Sequence, residues 1–278
     1  LLALEKQARS RSKYHDSLHS KPMSKKIILN KNKSTAAIVC CLTPLILGFV
    51  IPLFRLISWA WISRDKASAL VSIEMISNSL GLSIISSISI VLIALLLVFT
   101  SRYFNSYVIN FSNRLATLGY SIPGAVIAIG ILLFTAQINA VTNFVLTGSL
   151  VLLVFAYIVR YLAVACQPIN AGIETNCDSL NNASKSLGSS TYTSLRLVNI
   201  PLIKNTLITA GLLVFIDIIK ELPLTLILRP FNFETLSTAT FDLSSQAQII
   251  EASLPALCMI AVVLVPLVYL NYRLDNSR

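Results

Sequence analysis

The chain has 278 residues, 55% of them hydrophobic and 12% charged, with a net charge of +10 and a mean hydropathy of +0.76. Soluble domains carry about 25% charged residues, so a soluble fold is excluded and residence in a membrane follows. The positive balance does not point to nucleic acid either, because Lys and Arg collect at the ends of apolar runs.

Residues 1–33 open with LLALEKQARSRSKY and hold nine basic residues between Lys6 and Lys33. The segment reads as the end of a preceding span followed by a basic cytoplasmic linker. His15 and His19 lie four apart but among Lys and Ser, as solvated side chains do. A bilayer core about 30 Å thick takes about 20 apolar residues per helix. Six stretches meet that length: Ala36 to Ile57, Leu80 to Phe99, Ala116 to Thr135, Val145 to Ala165, Leu207 to Leu228 and Leu254 to Tyr272. The organisation is therefore a linker (1–33), a first helix with its outer loop (34–73), a core of five helices (74–272) containing a cytoplasmic loop (166–204), and a short tail (273–278). The fold class is an all-α integral membrane protein with six transmembrane helices.

Orientation follows the bias of Lys and Arg toward the cytoplasmic side. With the basic linker inside, Arg102, Arg114, Arg160, Lys185, Arg196, Lys204, Arg273 and Arg278 fall on the same side, and only Arg55, Arg64, Lys66 and Arg229 fall opposite. Both termini of the segment are thus expected in the cytoplasm. Outside, Ser68 to Ser77 enters the second span, and Arg229 to Ser253 is long enough to hold its own helix. Cys40, Cys41 and Cys258 sit in apolar runs and Cys166 and Cys177 flank the inner loop. With no CxxC or Cys/His ligand spacing they read as small buried thiols, and no metal site is expected.

The inner loop is the most patterned segment. Asp178 to Leu187 forms a short helix with Thr175, Asn176 or Asp178 as N-cap. Leu180, Ala183, Ser184 and Leu187 then share one small apolar face. Gly188 suits the left-handed residue that ends a helix, and Ser189 or Ser190 can cap the next. That second helix, Thr191 to Val198, is expected to stop before Pro201.

Asn182-Ala183-Ser184, three residues, Gly188, nine residues, then Val198-Asn199-Ile200-Pro201 resembles the cytoplasmic "EAA" loop of type I ABC importer permeases. The motif's Glu is Asn182 here, its second Ala is Ser184 and its Leu is Ile200. The run DIIKELPLTLILRPFNFETLSTATF (Asp217 to Phe241) and EASLPALCMIAVVLVPL (Glu251 to Leu267) resemble the ferric-iron subgroup. There two six-span halves are commonly fused, and the opening residues resemble the junction after the first half.

The resemblance implies the type I ABC importer permease fold in a bacterial inner membrane. It also implies a ferric-iron permease half that works with two copies of an ABC ATPase subunit, a second six-span half fused N-terminally, and an extracytoplasmic solute-binding protein. Leu180, Asn182, Ala183, Ser184, Leu187, Gly188 and Pro201 would couple the chain to the ATPase. Thiamine, polyamines and sulfate are the other substrates of related permeases. No P-loop pattern occurs, so ATP and Mg belong on the partner ATPase, no cofactor is expected in this chain, and it is not itself an enzyme.

Within the expected fifth span, Asp217 lies about 15 Å deep, with Lys220 and Glu221 at i+3 and i+4 on one helical face. Ionisable groups there cost about 3 kcal/mol or more each and normally face a bundle interior or a watered cavity. Pro223 marks a kink or gate. These four residues are read as lining the translocation path or a contact with the other half, with an Asp217–Lys220 pair that merely fixes packing as the alternative. A proton or ion relay through Asp217, Lys220 and Glu221 in an ion-coupled secondary carrier is the rival function.

Overall fold

A computed structural model of the chain describes residues 30–66, 70–103, 108, 111, 116, 118–142, 146–176, 184, 186 and 188–276. Every regular element among them is helical: α1 Lys31–Leu45, α2 Ile51–Ile62, α3 Ile73–Tyr103, α4 Gly124–Thr142, α5 Leu150–Asn176, α6 Thr191–Ser194, α7 Ile200–Ile219, α8 Pro223–Leu228, α9 Leu236–Ser245 and α10 Ile249–Asn276. Six helical stretches are long and apolar enough to cross a membrane: Lys31–Ile62, Ile73–Arg102, Gly124–Val141, Leu150–Ile173, Tyr192–Ile219 and Ile249–Tyr272. The sequence reading of six spans is met, with shifted ends.

The chain divides into two units, residues 1–51 and 52–278. In the first, α1 is capped by the Asn30 side chain and buries none of its residues. Cys40 and Cys41 lie exposed on it, not buried as the sequence suggested, because among the described residues of its unit no other helix packs against this apolar helix. A π turn at Ile46–Val50 follows, closed by the Ile51 N–H on the Ile46 carbonyl.

The second unit is built on α3, α5 and α7, which pack against one another. Small residues set their spacing: Ala94, Ala156, Ala165 and Ala210 are fully buried, and a Cβ on Gly172 of α5 would meet the Thr206 side chain of α7 at 2.8 Å. Close approach through small residues is how helices gain packing where lipid removes the hydrophobic drive. Around the three, α4 and α8 lie on α5, and α10 lies on α7 and α9. Ile84, Ile85, Ile88, Leu92 and Leu96 on α3 remain exposed, the outward pattern of a helix in an apolar solvent.

One end of this unit gathers residues distant in sequence. Lys66 pairs with Glu251 at 3.1 Å, the Asn78 side chain donates to the Glu234 carbonyl at 3.2 Å, and the Leu236 N–H donates to Ser79 Oγ at 2.8 Å. Arg229 meets Asp242 at 3.2 Å. The long segment after Arg229 does hold its own helix, α9, started by a capping box between Thr235 and Thr238.

Three of the shifted boundaries have a local cause. The third span starts at Gly124, not Ala116, because Gly119–Ser121 makes a 3₁₀ turn in which a Gly119 Cβ would stand 1.9 Å from the Val159 carbonyl oxygen. Only a residue without a side chain lets the chain cross α5 there. The helix of the fourth span runs on to Asn176, so Thr175 and Asn176 are helical residues of α5 and not caps. The fifth ends at Ile219, not Leu228, since α8 is a separate helix starting at Pro223.

Pro201 does not stop the preceding helix. A π turn at Leu195–Asn199 joins α6 to α7, with the Ile200 N–H reaching five residues back to the Leu195 carbonyl, and Pro201 sits in the first turn of α7. Proline lacks a donor and its ring clashes with the carbonyl four residues back. A widened turn just before it relieves both conflicts, so the helix continues through.

Candidate functional site

The loop around Gly188 and the break at Glu221 lie at opposite ends of the helical stretch Tyr192–Ile219. At the first end, Gly188 has φ +80°, the left-handed conformation expected from its place in the sequence. The Ser189 N–H donates to the Ser184 carbonyl at 3.2 Å, the six-residue closure that terminates a helix through glycine. Ser189 Oγ also donates to that carbonyl at 2.9 Å and meets the Ser184 hydroxyl. Ser190 then caps α6, accepting from the Thr193 N–H at 3.2 Å.

Of the residues expected to couple to an ATPase, Ser184, Gly188 and Pro201 are described, while Leu180, Asn182, Ala183 and Leu187 lie outside the described residues, as does Cys177. Ser184 is buried, so this member of the expected apolar face points into the protein. The large apolar side chains offered outward nearby are Tyr192 and Leu197, 69% and 68% exposed.

At the second end, α7 stops at Ile219 with Lys220 as its C-cap. Lys220 leaves the regular helix at φ −89°, ψ 0°, while Leu222, which precedes Pro223, stays in the right-handed region at φ −107°, ψ −55°. This separates three charges expected on one face. Asp217 and Lys220 stay together, Nζ to carboxylate 2.8 Å, with the lysine side chain 59% exposed. Glu221, 6% exposed, turns inward. Asp217 also lies only about 3 Å along the axis from the end of α7, at 1.5 Å per residue, not midway along a span.

Glu221 is held from several elements at once. Tyr161 of α5 donates its hydroxyl to Oε2 at 2.5 Å, and Arg160 Nε lies 3.6 Å from the same oxygen. Oε1 accepts the Leu224 N–H at 3.2 Å, satisfying one orphan donor at the start of α8. The Glu221 carbonyl accepts from Thr225 Oγ1 at 2.8 Å and from Ser237 Oγ of α9 at 3.0 Å. Thr225 in turn shares a 2.5 Å hydrogen bond with Tyr157 of α5. Gly124, first residue of α4, closes the cluster: a Cβ there would stand 2.2 Å from Arg160 Nη1 and 2.8 Å from Glu221 Oε1.

Arg160 is the functional candidate that sequence reasoning missed. The charge count placed it among cytoplasmic cations, but it lies about ten residues inside α5, roughly 15 Å along the helix. Its guanidinium carbon stands 5.6 Å from the Tyr161 ring centroid, a cation–π distance. The signal was present in the sequence: an Arg inside the apolar run VFAYIVRYLAVA, flanked by two tyrosines, is the intramembrane ionisable group that calls for a partner. Among the described residues no group of three or more His, Cys, Asp or Glu is placed to hold a metal.

The helical order, the glycine-ended loop and the broken fifth span define what this chain can be compared with. Residues 90–277 match the pattern of the binding-protein-dependent transport system inner membrane component. The chain belongs to that family. Among relatives of this transport component, the Fe(3+)-transport system permease protein FbpB 2 of Haemophilus influenzae is 30% identical over 218 residues, covering 77% of this chain and 42% of that protein. A Salmonella typhimurium protein provisionally named 2-aminoethylphosphonate transport system permease protein PhnV is 26% identical over 144 residues, covering 52% of this chain and 53% of that one. The chain thus spans about half the length of these relatives.

Of solved structures, a bacterial ABC transporter involved in the import of the acidic polysaccharide alginate matches with a TM-score of 0.69 at 14% identity, over 87% of this chain and 94% of that one. The alginate transporter in complex with an alginate pentasaccharide-bound periplasmic protein matches with a TM-score of 0.63 at 14% identity, over 86% and 94%. At such identity these likenesses show a shared fold: the transport component has the helical architecture of an ABC importer permease.

Proposed function

We propose that the chain is a membrane permease subunit of an ATP-driven importer for ferric iron. The substrate arrives on an extracytoplasmic solute-binding protein, and the subunit works with two copies of an ABC ATPase and a second six-span half fused N-terminally. The observation that carries the substrate reading is the 30% identity, over 77% of this chain, to an Fe(3+)-transport permease. The KELP and LRPF runs that first suggested iron are Lys220 to Pro223 and Leu228 to Phe231, the break and the segment after α8.

In this reading the protein lies in a bacterial inner membrane with both ends of the segment in the cytoplasm. Leu180, Asn182, Ala183, Ser184, Leu187, Gly188 and Pro201 form the coupling element. With Asn182 in the acidic position of the motif, docking relies on apolar contact and on the Gly188 turn rather than on a salt bridge. Tyr192 and Leu197 extend the apolar surface available to the ATPase. Asp217 and Lys220, on the open side of the break, line the path or meet the second half, and Pro223 fixes where the break falls.

Iron is cargo here and needs no tight site in this chain, because the binding protein carries it to the membrane. ATP binding would close the ATPases, draw the Gly188 loop with them and move the rigid stretch Tyr192–Ile219. The decisive measurement is uptake of labelled ferric iron in cells with and without the chain, with thiamine and polyamine controls. Loss of iron uptake alone is expected. The likeness to the phosphonate permease supports 2-aminoethylphosphonate as the second candidate, and it belongs in the same assay. Dependence of uptake on a proton gradient rather than ATP would favour an ion-coupled carrier instead. The purified chain alone is expected to hydrolyse no ATP.

A further inference from the structure

The Glu221 cluster sits where a long helix breaks, and a break can absorb motion or pass it on. From Tyr192 to Ile219 the chain is one helical stretch, about 40 Å at 1.5 Å per residue, so displacement at the Gly188 end arrives at Lys220–Leu222. An untied break would act as a hinge, and α8 and α9 would not follow. This break is tied on both its side chain and its main chain. Leu224 binds one Glu221 oxygen and Tyr161 the other, while Thr225 and Ser237 hold the carbonyl. Arg160 supplies the compensating charge at 3.6 Å.

We propose that Glu221 is a latch that locks the α7–α8 joint to α5 and α9, and that Arg160 is a positioning residue for transport through it. Three observations support a tie over ordinary packing. The contacts come from three different elements and converge on one residue. Glu221 is among the most buried charged groups described, at 6% exposure, while Lys220 next to it is 59% exposed in its side chain. Gly124 leaves the space that the guanidinium and carboxylate fill, since a Cβ there would collide with both. A buried charge survives at such a place when partners compensate it, and the partners here span the joint.

This inference rests on the permease reading, and its test separates the two. Glu221→Gln, Arg160→Met, Arg160→Lys and the milder Ser237→Ala are each made in the full permease with its second six-span half and reconstituted with the partner ATPase and binding protein in proteoliposomes. Substrate moved per ATP hydrolysed is measured with labelled ferric iron and with 2-aminoethylphosphonate. Amide hydrogen exchange is followed in α8 and, for reference, in α3. In the Gln and Met variants that assemble, transport per ATP is expected to fall about tenfold, within the usual span of coupling between sites. Arg160→Lys is expected to restore part of it, and exchange in α8 to quicken while α3 stays protected. If Glu221→Gln does not assemble, Ser237→Ala and Arg160→Lys still grade the tie. Unchanged transport per ATP in assembled variants, or unchanged α8 exchange, overturns the latch. A wild-type complex that moves neither substrate overturns the substrate reading instead, and α8 exchange then decides the latch by itself.

Discussion

Two acid–base pairs flank the end of the same helix and behave as opposites. Asp217 and Lys220 are bonded at 2.8 Å, but the lysine is open to its surroundings. Arg160 and Glu221 are farther apart, at 3.6 Å, yet both are largely buried: Glu221 is tied to a tyrosine, an amide and two hydroxyls, and Arg160 lies over the Tyr161 ring. The shorter distance is therefore not the stronger constraint. An open pair trades attraction against solvation and side-chain entropy, whereas removal of one member from a buried pair strands the other's charge. Residues that share the sequence KELP are thus divided by one turn of backbone into a surface pair and an internal tie.

The contrast is sharpest with Glu221→Ala, which leaves Arg160 buried without its carboxylate. Loss of about 3–5 kcal/mol is expected, read as a fall in unfolding temperature of the purified chain in detergent. Little change would mean that the cluster is less enclosed than its geometry indicates. Gly124→Val should come next, at about 1–3 kcal/mol for overpacking a filled site, since its first added carbon already lies 2.2 Å from Arg160 Nη1. The double variant Gly124→Val with Arg160→Ala should recover part of that loss, and additive losses would argue against contact.

Gly188→Val tests the other end of the long helix. A β-branched residue at φ +80° costs about 1–2 kcal/mol, and among the described residues nothing stands within 4 Å of the added carbon, so the strain is local. The variant should insert in normal amount yet carry little substrate; normal uptake would show that the turn is dispensable to coupling. Lys220→Met is expected to change stability least, by under about 1 kcal/mol. Unimpaired transport with normal assembly would remove Asp217 and Lys220 from the path.

Six spans were legible because apolar runs of about twenty residues have one outcome in a bilayer. The Gly188 turn was legible for a related reason, since the left-handed conformation that ends a helix is open chiefly to glycine. The break after Lys220 was half legible: Pro223 signalled it, but hydropathy runs on from Leu207 to Leu228 and hides that the helix ends. Arg160 was misread because a charge count treats every cation near a span as a loop residue. Its charge inside α5 is compensated by Glu221, 61 positions later in the chain, a pairing that no local pattern encodes. Pro201 misled in the opposite sense, because a proline read as a stop is accommodated by the wide turn before it.

The wide turn at Leu195–Asn199 also sets a phase. It holds one residue more than regular α geometry needs, so the residues before it are rotated relative to α7 by about 100°, the angle one residue contributes. Removing a single residue there would leave the apolar character of the span intact and keep Gly188 in its turn, yet aim Tyr192 and the turn at a different side of the bundle. The direction in which this chain presents its loop is thus stored as a count of residues in one turn of helix.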